Sequence, residues 1–137
     1  MISDLPGTKR LAYAGTNHLA AGRSAAFFIC QMAPRPGTVV IVCNYLGFQS
    51  HADRVAGFRE YLSEHPSGLE IARVVEGHDD RDRTETRLRT AFQDLQRTAA
   101  VYNVGAANLG VRAAIEGSAP SMRPSLRMVS MRSRLLA

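Results

Sequence analysis

At 137 residues, 45% apolar and 7% aromatic, the chain has the length for one domain and the composition of a globular one. No apolar stretch reaches membrane-spanning length, and the opening MISDLPGTKR lacks a signal-peptide core, so a cytoplasmic location and no membrane partner are expected. Four of the five net positive charges fall in residues 117–137, as Arg123, Arg127, Arg132 and Arg134 with no acid among them. The body is therefore close to neutral, and no helix-turn-helix, zinc-finger or stacking pattern accompanies the basic segment to make it a nucleic-acid reader.

Strands and helices alternate along the body. Residues 10–15 (RLAYAG) read as a short strand, and residues 17–32 as a helix with Asn17 at its N-cap. Ala21, Ala25, Phe28 and Met32 recur at helical spacing and form its expected inner stripe. PRPG at 34–37 ends that helix, and residues 38–43 (TVVIVC) have the continuous, β-branched apolar run of a buried parallel strand. After a polar, glycine-containing loop the period changes. Ala52, Val55, Phe58 and Leu62 share one face of a helix over 51–64, with Arg54 in its first turn and off that face. Docking this helix on the sheet carries the Arg54 guanidinium over the carboxyl end of the preceding strand, where open α/β sheets bind ligands.

The turn 65–68 (HPSG) leads to a strand over 69–75 and a loop over 77–80 with acidic caps. A helix over 81–97 follows, with Leu88, Phe92 and Leu95 inward, then a strand over 99–103 (AAVYN) and a helix from about 106 to 116. Repeated β-α units with short connections specify a parallel, doubly wound α/β sheet flanked by helices. Beyond Glu116 the pattern stops. Residues 117–137 show no strand or helix period and read as a basic irregular tail, either a disordered end or the product of a reading-frame change.

Few residues carry a chemical signature. Cys30 and Cys43 have no CxxC or histidine at ligand spacing, so two reduced core thiols are expected. The run His78-Asp79-Asp80-Arg81-Asp82 reads as a loop and helix start whose carboxylates favour the positive end of the dipole. His18 and His51 lie at the presumed cleft edge and read as solvent-exposed histidines without a metal. The turn Gly105-Ala106-Ala107-Asn108 lacks the spacing of a phosphate loop, so no nucleotide cofactor is expected. With no nucleophile elbow, coupled Cys-His pair or facing carboxylates, the residues point to binding and away from catalysis.

Four segments carry a resemblance: residues 10–29 (RLAYAGTNHLAAGRSAAFFI), 39–62 (VVIVCNYLGFQSHADRVAGFREYL), 69–77 (LEIARVVEG) and 100–116 (AVYNVGAANLGVRAAIE). In their order and spacing they resemble the sugar-binding domain of LacI-type transcription regulators and their periplasmic binding protein relatives. The resemblance implies one lobe of a two-lobed fold, with residues 1–15 the end of the first lobe and 16–116 most of the second. It also implies that Arg54, three residues before Gly-Phe, hydrogen-bonds ligand hydroxyls. A guanidinium, with several donors in a fixed fork, suits that task. Asn103 would reach the cleft from a strand end. Where the family has an Asp-Asn pair this chain has Asn17-His18, with Asn17 as the third ligand candidate. Each has a plain structural reading too: Arg54 solvated or paired with Asp53 or Glu60, Asn103 capping its turn, and Asn17 capping its helix.

The resulting expectation is the effector-binding portion of a LacI-type regulator. Its ligand would be a carbohydrate or similar small molecule, and DNA would be contacted only through a head that these residues do not include. With one lobe offering half a cleft, weak or absent sugar binding is expected. Two readings compete: a small α/β enzyme or response-regulator-like domain, disfavoured because the first strands end in Gly15, Asn44 and Gly77 rather than aspartates, and a nonfunctional remnant whose bare apolar surface would make it aggregate or form a homodimer.

Overall fold

Val39, Val40, Ile41 and Val42 follow one another in one strand for a physical reason: both of its faces are covered. The computed structural model describes residues 15–33, 36–95, 97–118 and 127–130. Within them, helix α1 (His18–Met32) precedes strand β1 (Gly37–Cys43), helix α2 (Gln49–Glu64) and strand β2 (Leu69–Glu76). Helix α3 (Arg81–Asp94), strand β3 (Thr98–Asn103), helix α4 (Asn108–Glu116) and strand β4 (Arg127–Ser130) complete the order. The strands form one parallel sheet in the order β2-β1-β3-β4. The chain is thus α/β, a parallel sheet flanked by helices.

Side-chain alternation along β1 and β3 splits the core in two. Val39, Ile41, Cys43, Ala100 and Tyr102 face α1 and α2, where they pack on Ala25, Ala26, Ile29, Val55 and Phe58. Val40, Val42 and Val101 face the other way, onto Leu88, Ala91 and Phe92 of α3 and Val111 and Ala114 of α4. Such double coverage explains why Val39–Cys43 of β1 and all of β3 are buried without a break, whereas edge strand β2 is fully buried only at Leu69 and Val75.

Several expectations need correcting. The inner face of α1 is His18, Gly22, Ala25, Ala26 and Ile29, one position round from the expected stripe; Phe28 is 54% exposed and Met32 is exposed too. The cause is close helix packing. A Cβ on Gly22 would sit 2.0 Å from the carbonyl oxygen of Arg54, and one on Gly57 equally close to that of Leu19, so only glycine lets α1 and α2 cross here. Helix α3 ends at Asp94, short of 97, because the Arg97 carbonyl accepts from the Thr38 amide (2.8 Å) and is tied to the start of β1. Helix α4 starts at Asn108 because the Asn103 side chain organises the residues before it.

The irregular tail is corrected in part. Arg127–Ser130 pairs in parallel with Ala100–Asn103 as strand β4, and Val129 packs against the α1–α2 side of the core. A four-residue strand beside a buried one needs only one inward side chain, which leaves no period to read. The strand expected over 10–15 lies outside the described residues but for Gly15. No described helix is long and apolar enough to cross a membrane.

Candidate functional site

All four strands run in parallel, so the loops that follow them gather at one edge. The first three are stitched together by main-chain bonds: Gly77 N–H to Cys43 O (2.8 Å), His78 N–H to Asn44 O (2.9 Å) and Val104 N–H to Val42 O (2.8 Å). Over this edge stand the start of α1 and the first turns of α2.

Arg54 is held from two directions. Its Nε–H donates to His18 Nδ1 at 3.2 Å and its Nη1 to the Val104 carbonyl at 3.0 Å. One guanidinium thereby ties α1, α2 and the end of β3 together, while Nη2 has no partner among the described residues. Accepting through Nδ1 requires that His18 carry its proton on Nε2. His18 is only 6% exposed, which corrects the solvent-exposed reading: it opens α1 directly beside the Gly22–Gly57 crossing and is folded under Arg54. His51 is half-buried and also departs from that reading. Burial lowers its pKa, and the positive charge of Arg54 lowers it further. It lies against the next loop, since a Cβ on Gly105 would come within 3.6 Å of its Nε2.

Asn103 is fully buried at the end of β3. Its Nδ2 donates to Ala106 O (3.1 Å) and Asn108 Oδ1 (2.6 Å), and its Oδ1 accepts from the amides of Gly105 (3.1 Å) and Ala106 (2.9 Å). Two donors and two acceptor positions are all occupied, so the side chain shapes the β3–α4 turn. Asn17 is exposed, and its side chain accepts from the Ala20 amide (2.9 Å) as the N-cap of α1. The three candidates therefore meet at one edge in different states. Arg54 offers a free donor edge, Asn103 is spent on its own loop, and Asn17 is occupied as a cap.

Sequence reasoning missed the aromatic half of this edge. Tyr45 and Phe48 are both exposed and meet edge to face at 5.5 Å, with His78 5.7 Å from Tyr45 and His51 5.6 Å from Phe48. Two aromatics flanking a glycine directly after a buried strand, in NYLGF, were the available signal. Asp80 caps α3 by accepting from the Arg83 amide, and the described residues hold no group of three or more His, Cys, Asp or Glu side chains that could bind a metal. Cys43 is buried and its thiol is pushed up to about 12, chiefly by burial. Tyr102, stacked on Phe58 at 5.2 Å, is likewise raised to about 12 by burial, and its hydroxyl has no partner among the described residues.

A family model described as periplasmic binding protein domain matches residues 1–124. The chain belongs to that family. Solved structures agree on the fold of this periplasmic binding protein domain. GanP, a glucose-galactose binding protein from Geobacillus stearothermophilus, is 22% identical with a TM-score of 0.80 over 93% of this chain and 45% of its own. An ABC-transporter solute-binding protein from Burkholderia graminis, in complex with D-arabinose, is 23% identical with the same TM-score and coverages. A sugar ABC transporter sugar-binding protein from Bacillus halodurans is 22% identical with a TM-score of 0.79, over 93% of this chain and 43% of that one. The chain spans less than half the length of each. No curated protein matches it.

Proposed function

We propose that the chain is one lobe of a small-molecule binding protein whose ligand is a carbohydrate, and that it binds without catalysing a reaction. The observation that carries this reading is Arg54, anchored over the carboxyl edge of the sheet by His18 and Val104 with Nη2 unbonded. Beside it, the exposed rings of Tyr45 and Phe48 suit the apolar faces of a sugar. The sugar-binding descriptions of the similar structures support the same class. Asn103 and Asn17 serve here by shaping the loops around the ligand. A ligand gripped from one side loses half its contacts, so this lobe binds sugar more weakly than micromolar on its own.

In a two-lobed protein, ligand would favour the closed arrangement, and that shift in population is the signal such a lobe can contribute. The order and spacing of the four family-like segments support a LacI-type regulator acting in the cytoplasm, with DNA reached through a head outside these residues. The transporter proteins among the similar structures support a solute-binding component instead. Encoding DNA with a helix-turn-helix upstream decides for the regulator, and permease genes alongside decide for the transporter.

Binding itself is tested by titrating the labelled chain with D-arabinose, D-galactose, D-glucose and their acidic derivatives and following amide resonances. Shifts confined to residues 44–54 and 103–107, and abolished by Arg54→Met, are expected. Sugars of every kind leaving those amides unmoved would refute the reading.

A further inference from the structure

Arg54 is a half-buried cation whose hydrogen-bond partners among the described residues are all uncharged. His18 takes its Nε–H through a neutral ring nitrogen and the Val104 carbonyl takes an Nη1 proton. Among the described residues no carboxylate oxygen lies within 4.0 Å of this guanidinium, although Arg23, Arg73, Arg89 and Arg112 each hold one that close. The groups around it are His18 from α1, His51 from α2 and Tyr102 from β3, none of which is an acid. Acids on the adjoining elements have other engagements: Glu76 accepts from the Leu46 amide, Asp53 from Gln49 Nε2 and Asp80 from the Arg83 amide.

A cation partly removed from water and, among the described residues, without a counter-charge gains from any anion that reaches it. Its surroundings add to that bias. His51 is held toward its neutral form by burial and by the positive charge beside it. The amides that open α2 and α4, at the same sheet edge, have no side-chain cap. With Nε occupied, a side-on fork is closed, and an incoming acid must be met end-on by Nη2 and the remaining Nη1 proton.

We propose that this lobe selects an anionic sugar, a sugar acid or a sugar phosphate, over its neutral counterpart, with the Nη1–Nη2 end of Arg54 binding the carboxylate or phosphate. The inference rests on the sugar-binding reading above and narrows it to a ligand class.

The test compares D-galacturonate and D-glucose 6-phosphate with D-galactose and D-glucose, at low salt, by amide and Arg54 Nε–H resonances of the full chain. The anionic members are expected to bind about tenfold more tightly or better, with the gap closing as salt screens the charge. The two anionic arms show whether carboxylate or phosphate is preferred. His18→Asp, which sets a carboxylate beside the guanidinium, is expected to remove the gap, and Arg54→Gln, which removes the charge itself, is expected to remove it too. Neutral sugars binding as well as anionic ones would overturn this inference and leave sugar binding standing. Inorganic phosphate binding as tightly as glucose 6-phosphate would overturn it as a bare anion site. A chain that binds no sugar of either class overturns both readings.

Discussion

At the scale of single residues, the polar side chains at the sheet edge divide by whether their hydrogen bonds are already used. Asn103 has none to spare. Asn103→Ala would leave the part-buried amide of Gly105 and the buried amide of Ala106 without acceptors, so a loss of about 2–3 kcal/mol in urea-unfolding stability is expected. Arg54→Met, by contrast, should cost less stability than Asn103→Ala while removing sugar-induced shifts, because the guanidinium keeps a donor edge open. The thiols separate in the same way. Burial drives Cys43 up to about 12, so at pH 8 an alkylating reagent is expected to modify Cys30, which is partly accessible, and to reach Cys43 only after unfolding. Mass spectrometry of the labelled chain checks this. None of these states was legible from residue type. Arg54 was found through its spacing after a strand, and the capping role of Asn17 through its place before a helical run. That His18 is buried under Arg54 depends on a contact across 36 residues of sequence.

At the scale of elements, the packing of α1 on α2 decides the site. Gly57→Val would drive a side chain into the backbone of α1 at Leu19, which no rotamer relieves. A loss of about 3 kcal/mol is expected from overpacking, read as a lower midpoint in thermal unfolding, together with loss of the His18–Arg54 contact. The existence and type of the helices and inner strands were legible, because continuous apolar runs and 3.6-residue periods are local signals. The face of α1 was not. Its four candidate positions were chosen for apolarity, but two glycines that permit close approach turned the helix so that His18, Gly22 and Ile29 face inward and Phe28 faces out. Strand β4 was missed for a related reason: its four residues acquire a strand conformation by pairing with β3. Removing residues 127–137 is expected to bare the Ala100–Asn103 edge and lower solubility, measured as the onset of aggregation on heating.

At the scale of the whole molecule, the sheet edge couples stability to pH. His51 binds a proton less readily in the folded chain than its ordinary value of 6.5 implies, first because it is buried and then because Arg54 beside it is positive. The unfolded chain therefore takes up the proton first. Its contribution to stability is complete above about 6.5 and is lost as pH falls below that value, so urea midpoints should decline there. His51→Gln is expected to flatten the decline.

The sequence by itself determined the alternation of strand and helix and the parallel sheet that this alternation requires. Those follow from period and apolar run length, which neighbouring residues set among themselves. Tertiary structure alone decided which face of α1 is buried, that 127–130 joins the sheet, and that Arg54 is anchored by His18 and the Val104 carbonyl just after β3 while Asn103 is spent on its turn. Each of those depends on groups that meet only after α1, α2 and β3 have packed, with partners 36 and 50 residues apart in the case of Arg54.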